Sequence, residues 1–318
     1  MSRGFANELQ TALAAVREAS LLCTAVQSAI GDGVHSKDDR SPVTVADFGS
    51  QALVCRTLRE AFPEDPVIAE EDSSALRTGD GNRLLKRVAQ EVAEVRMGVD
   101  NATVCSWIDH GSAREYAPRF WTLDPIDGTK GFLRGEQYAI ALALVVDGEV
   151  AVAALACPNL DPGGVVFGTI KGGGTTVQPL ESTSDSVPAR VTGTTDPASA
   201  RFVESVESGH SSHSDSARIA QELGIVLPPV RMDSQAKYAA LARGDADIYL
   251  RLPARPGYVE KIWDHAAGVL VIEEAGGRVT DMHGNRLEFH HGSRLEKNRG
   301  VIATNGLLHD AVLKAVGG

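Results

Sequence analysis

The chain has 318 residues, 31 Lys and Arg against 42 Asp and Glu for a net charge of -11, and 43% hydrophobic content. That length supports one large domain or two modest ones. The acidity disfavours non-specific binding to nucleic acid or to an anionic membrane, while leaving room for a local basic pocket that holds a phosphorylated ligand.

Leu9, Leu13, Val16, Ala19, Cys23, Val26 and Ile30 recur at three- and four-residue steps, which predicts a long amphipathic helix ended by Gly31-Asp32-Gly33. No stretch is expected to span a bilayer, and the N-terminus lacks the basic flank and apolar core of a secretory signal. The four cysteines, Cys23, Cys55, Cys105 and Cys157, form no C-x-x-C pair. Buried thiols in a reducing, cytoplasmic compartment are expected. After a polar linker, Thr44 and Asp47 have the spacing of a capping box, with a second helix running through Ala52, Leu53, Leu58 and Phe62. Pro66 to Ala69 reads as a short buried strand ending in Glu70-Glu71-Asp72. That trio is either a solvated turn or a carboxylate delivered at a strand end. Leu84 to Val99 is a further helix, and Asn101 to Pro118 a loop.

An apolar run from Arg119 then reaches Asp124-Pro125-Ile126-Asp127-Gly128-Thr129. Pro125 stiffens the backbone between two carboxylates, Gly128 permits a sharp turn, and Thr129 adds a hydroxyl beside main-chain N–H groups. Such a segment suits magnesium and phosphate. Alone, it reads equally as an Asp-Gly turn after a strand. Tyr138 to Val146 and Val150 to Cys157 are near-continuous apolar runs joined by Asp147-Gly148, a hairpin covered on both faces. Val165 to Ile170 and Thr175 to Val177 extend the meander. The Ser-, Thr- and Pro-rich stretch from Ser182 to Pro197 suggests a boundary, dividing the chain into 1–198 and 199–318.

Beyond it strands and helices alternate: Phe202-Val203, Ser216 to Leu223, Asp233 to Ala242, Ala246 to Leu252, Trp263 to Ala275, Gly277 to Thr280, Val301 to Ala303, and a last helix to Val316. That order predicts an α/β half after an α+β half with an antiparallel sheet. Asp264 opens an apolar helix and is a good N-cap; His265 beside it suits a surface or packing role.

Asp47, Glu70, Asp124, Asp127 and Asp264 each lie beside a strand end or helix start. If they converge they repel: two carboxylates about 4 Å apart at an effective dielectric near 20 cost roughly 4 kcal/mol. Several such pairs exceed a folding stability of about 5–15 kcal/mol. The cluster therefore needs cations, and oxygen-only ligands favour magnesium or manganese over zinc.

With these pieces in place the chain resembles the inositol monophosphatase superfamily, the lithium-sensitive magnesium phosphatases. The likeness rests on 41–51, Ala69-Glu70-Glu71-Asp72, 121–135, Tyr249 to Pro253 and Glu260 to Gly268. Lys130-Gly131-Phe132, Gly209-His210-Ser211-Ser212-His213 and Asp233-Ser234-Gln235-Ala236-Lys237-Tyr238 are similar to its nucleotide-bisphosphate branch. The resemblance implies a layered αβαβα fold with the site between its halves. It implies two or three magnesium ions on Glu70, Asp124, Asp127, Asp264 and the Ile126 carbonyl, with a water oriented and deprotonated by Asp47 and Thr129. Gly128 and Thr129 would bind the phosphate, and His210, Ser234, Lys237 and Arg251 the nucleotide. The implied reaction is hydrolysis of the 3'-phosphate of adenosine 3',5'-bisphosphate, with 3'-phosphoadenylyl sulfate as a second substrate. The alternatives are an inositol phosphate substrate or a non-catalytic nucleotide sensor. A monomer without nucleic-acid or membrane partners is expected.

Overall fold

The computed structural model describes residues 2–31, 41–79, 81–182, 186–207, 213–253, 255 and 257–317. Two helices open the chain, α1 (Ala6–Gly31) and α2 (Ser41–Ala61). By length and composition α1 could cross a membrane, contrary to the expectation from sequence. One stripe of it packs inward: Ala12, Val16, Ala19, Cys23 and Val26 are buried in one cluster with Phe48, Ala52 and Cys55 of α2. Since α2 already begins at Ser41, Thr44 and Asp47 lie inside it and not at its start.

Next come β1 (Val67–Ala69), α3 (Gly81–Val95) and α4 (Asn101–Asp109), the last replacing the expected loop. The Asp100 side chain accepts from the Thr103 N–H at 2.8 Å and caps it. Val104, Cys105 and Ile108 give α4 a buried face. The meander follows as β2 (Arg119–Asp127), the short α5 (Thr129–Arg134), β3 (Ala139–Val146), β4 (Glu149–Cys157), β5 (Val165–Ile170), β6 (Thr175–Pro179) and β7 (Val187–Pro188). The seven strands lie in sequence order, all antiparallel except β1–β2, which is parallel. Alternation on β3 shows why its sequence is apolar throughout. Ile140, Leu142 and Leu144 face α1 and α2, while Ala139, Ala141 and Ala143 face the other way.

The second sheet contains β8 (Phe202–Glu204), β9 (Val230–Arg231), β10 (Ile248–Arg251), β11 (Arg278–Thr280) and β12 (Val301–Thr304), in the order β11-β12-β10-β8-β9. Its helices are α6 (His213–Leu223), α7 (Ala236–Ala242), α8 (Ala266–Glu274) and α9 (His309–Gly317). Tyr249 on β10 joins α7, α8 and the alanine face of β3 in one core. Ile248 and Leu250 point oppositely, towards Ile219 of α6 and Val312 of α9. The layers are thus α1/α2, first sheet, α7/α8, second sheet, α6/α9: the αβαβα arrangement.

The helix expected from Trp263 starts only at Ala266, its N-cap His265 makes no side-chain capping bond, and Asp264 is left outside it. At its other end Gly276 takes φ 99°, and the Gly277 N–H donates to the Ile272 carbonyl at 2.9 Å, closing the helix with a left-handed turn.

Seating α8 against α7 depends on Gly268, because a Cβ there would fall on the Tyr238 ring. Gly268→Ala is therefore expected to lower unfolding free energy by about 1–3 kcal/mol, measured by urea denaturation. Unchanged stability would show that the contact between the two helices is loose.

Candidate active site

One face of α2 organises the first half of the site. Asp47, Ser50 and Gln51 stand three and four residues apart, hence on one side of the helix. The Ser50 hydroxyl donates to the Pro125 carbonyl at 2.8 Å. The Gln51 amide donates to the Glu71 and Ile108 carbonyls at 2.6 and 3.0 Å, while its oxygen accepts from the Glu71 N–H at 3.0 Å. The helix that carries Asp47 thus fixes both the Glu70-Glu71 strand end and the turn between Asp124 and Asp127.

That turn is a bulge. Asp124 pairs with Ala141 and Asp127 with Ala139, so three steps on β2 oppose two on β3. Residues i and i+3 of a regular strand point to opposite faces; one extra residue brings both carboxylates to the same side. Pro125, which cannot donate to the ladder, sits where the register slips. Gly128 follows at φ 90°, and a Cβ there would meet the Ser234 Cβ at 2.8 Å. Ser234 itself adopts φ 66°, so two left-handed residues face each other across the cleft. Gln235, fully buried, donates its backbone N–H to the Asp127 carboxylate at 2.6 Å. Its side chain bonds the Trp263 carbonyl at 2.8 Å and the Gly268 N–H at 3.0 Å.

Glu70, Asp124, Ile126, Asp127, Gly128, Thr129, Ser234, Lys237, Arg251 and Asp264 all line one cavity of about 240 Å³. Asp47 is buried against it, close enough for its charge to act on Asp124. His210 lies outside the described residues. The rim adds residues to which the sequence reading gave no role, among them Tyr249, Tyr258 and Glu207. Gln51, Gln235 and Glu260 also escaped it, because a glutamine or glutamate in a helix or loop ordinarily reads as solvated.

Burial, Glu70, Asp127, Asp264 and Asp47 push Asp124 well above the usual carboxylate range. Burial, then Glu71 and Glu70, raise Asp47. Burial, Asp264, Glu71 and Asp127 push Glu70 up to about 8. Burial takes Asp264 to about 6 even though Arg251 opposes it. Among the described residues, one Asp124 oxygen is buried with no hydrogen-bond partner. Crowded oxygen donors, with one of them orphaned, fit a hard divalent cation.

Cationic side chains line the same cavity. Arg251 donates to Glu260 at 2.8 Å and to Asp264 at 3.1 Å, so it holds a carboxylate of the acid cluster as well as facing the cavity. His265 is not on the surface: it is fully buried, 2.7 Å from the Tyr238 hydroxyl and 3.2 Å from Glu260. Burial would raise Glu260, but His265 and Arg251 outweigh it and take its carboxyl down to about 2. The buried Lys237 ammonium donates to the Ser234 and Met232 carbonyls at 2.8 and 3.4 Å and stands 5.3 Å from the Tyr249 ring centre. Burial brings it down to about 8.

The pattern of the inositol monophosphatase family matches residues 5–317. The chain is 44% identical to a 3'(2'),5'-bisphosphate nucleotidase of Emericella nidulans over 95% of each chain. It is 47% identical to a 3'(2'),5'-bisphosphate nucleotidase of Oryza sativa, over 98% of this chain and 94% of that one. Among solved structures, an inositol monophosphatase from Anabaena superposes with a TM-score of 0.63 at 22% identity, covering 98% of this chain and 96% of the other.

Carboxylates raised by folding stabilise the metal-free chain fully below the ordinary carboxylate range. They lose that contribution as pH rises through about 6 for Asp264 and about 8 for Glu70. A cation must displace the protons they hold. Adding magnesium chloride to the weakly buffered, metal-free chain at neutral pH should release on the order of one proton per chain, and fewer from Glu70→Gln. A pH-stat that registers none would show the acids to be ionised already.

Proposed function

The chain belongs to the inositol monophosphatase family, and from that premise we propose that it hydrolyses the 3'-phosphate of adenosine 3',5'-bisphosphate, giving AMP and phosphate. The observation that carries this reading is the make-up of the cavity: the acids Glu70, Asp124, Asp127 and Asp264 and the buried Lys237 line it together. The acids call for metal and a scissile phosphate, the ammonium for a second anion. The names of the similar nucleotidases support the same substrate.

Glu70, Asp124, Asp127, Asp264 and the Ile126 carbonyl would hold two or three magnesium ions. Bound ions supply positive charge for the phosphoryl oxygens and acidify a water. The chain does the rest. Gly128 and Thr129 receive the phosphate where the backbone turns sharply. Asp47, whose proton affinity is raised by burial and by Glu71 and Glu70, takes the proton of the attacking water, which the Thr129 hydroxyl orients. Ser234, Lys237 and His210 hold the nucleotide in this reading. Arg251 serves through Asp264 and Glu260 as much as through the substrate, because it is bonded to both. Lithium, a small monovalent cation, inhibits in this reading by taking a magnesium position without supplying its charge.

Lys237 gives the sharper test of substrate. Its hydrogen bonds to described residues occupy two of its three N–H groups, and a charge-assisted bond contributes about 1.5–3 kcal/mol. Lys237→Ala should lower kcat/KM for the bisphosphate roughly ten- to hundredfold, and leave hydrolysis of inositol monophosphate nearly unchanged. Phosphate release would be measured on both, and on 3'-phosphoadenylyl sulfate. A wild-type chain that prefers inositol monophosphate, or equal losses on all three, would overturn the nucleotide reading.

A further inference from the structure

Away from the cavity, between β11 and β12, the chain runs Leu287-Glu288-Phe289-His290-His291-Gly292. Phe289 is buried in the central core and Leu287 packs against it, which leaves Glu288 and His290 on the outer side. Gly292 then turns at φ 79°. The Nε2 atoms of His291 and His290 lie 2.7 and 3.5 Å from the same Glu288 carboxylate oxygen. The three donor atoms all fall within 4.8 Å of one another. Bonds of about 2.0–2.1 Å at tetrahedral angles put the donors of a zinc ion roughly 3.3 Å apart, so the trio reaches a coordination sphere by side-chain rotation that turns apart the two rings, now 4.1 Å between centres.

The trio is also braced. The Glu288 N–H donates to Asn298 at 2.8 Å, and Asn298 in turn donates to the Arg286 carbonyl at 2.9 Å. His290 packs edge-on to Tyr116 with ring centres 6.4 Å apart, and a Cβ on Gly148 would come within 3.3 Å of its Nδ1. None of these residues lines the phosphatase cavity. Two imidazole nitrogens and one carboxylate form a borderline-soft donor set, in contrast to the oxygen-only set of that cavity.

We propose that Glu288, His290 and His291 form a second metal site, selective for a late first-row divalent ion such as zinc, with a coordination position open to water. The site does not rest on the proposed phosphatase reaction. It does touch the catalytic half mechanically, since the following residues pair with the segment before Asp264. The Ile262 N–H donates to the Ser293 carbonyl at 3.3 Å, and the Leu295 N–H to the Glu260 carbonyl at 2.9 Å. An ion at the trio would brace that strip from outside.

The test is equilibrium dialysis of the full chain against zinc chloride in a large excess of magnesium chloride, which occupies the acid cavity. One zinc per chain should be retained. The His290→Ala/His291→Ala double variant should lose it, and Glu288→Gln should weaken it at least about tenfold. Both variants should keep wild-type far-UV circular dichroism and wild-type phosphate release in magnesium alone. Absence of zinc from the wild type, or its retention by folded variants, would overturn the site.

Discussion

Like charges forced into a poorly hydrated cleft repel, and the architecture of this chain follows from putting five of them there. Asp47, Glu70, Asp124, Asp127 and Asp264 come from four separate places: α2, the end of β1, the bulge of β2, and the approach to α8. None would remain there on electrostatics alone. Burial and mutual repulsion raise four of the five, and each is held by structure that does something else as well. The hydrophobic layers supply the force. Ser50 and Gln51 use it on one side, Gln235 and Arg251 on the other, to hold acids that would otherwise move apart.

The same constraint explains why the site lies between the two sheets. Neither sheet could collect the full set by itself. The first brings Glu70, Asp124 and Asp127, while Asp264 arrives on the chain between β10 and α8. Gln235 spans that gap, tying the Asp127 carboxylate to Trp263 and Gly268 through backbone and side-chain bonds. The close approach at Gly128 and the helix contact at Gly268 let the halves come near enough for that span. Arg251 adds a strong local counter-charge to Asp264, and Glu260, with His265 and Tyr238 behind it, fixes the arginine.

Much of this was legible in the sequence for physical reasons. The meander reads plainly because β3 and β4 are apolar on both faces, and helices cover both faces of their sheet. Asp124 and Asp127 stand out because a proline, a glycine and two acids in succession break the pattern of the strand that carries them. α4 did not stand out: its cap is Asp100, and its short apolar face is diluted by Asn, Thr and Ser. Asp264 read as a helix cap because its neighbours are helical, yet α8 starts two residues later so that the carboxylate can reach the cavity. Gln51 and Gln235 lie within the segments that carry the likeness, but their role was not legible there, since it lies in contacts with chain 20 or more residues away. Arg251 suggested substrate contact, and only the folded chain brings Glu260 and Asp264 against it.

The claim that cations relieve a built-in repulsion is tested most directly by thermal unfolding of wild type and Asp124→Asn, with and without magnesium. Removing one buried carboxyl, which the metal-free fold keeps only against its neighbours' charge or with a proton held above its ordinary affinity, should make the metal-free variant more stable than the metal-free wild type. Saturating magnesium should raise the wild-type midpoint by on the order of 5 °C and the variant by clearly less. A metal-free variant less stable than wild type, with an undiminished response to magnesium, would contradict the account.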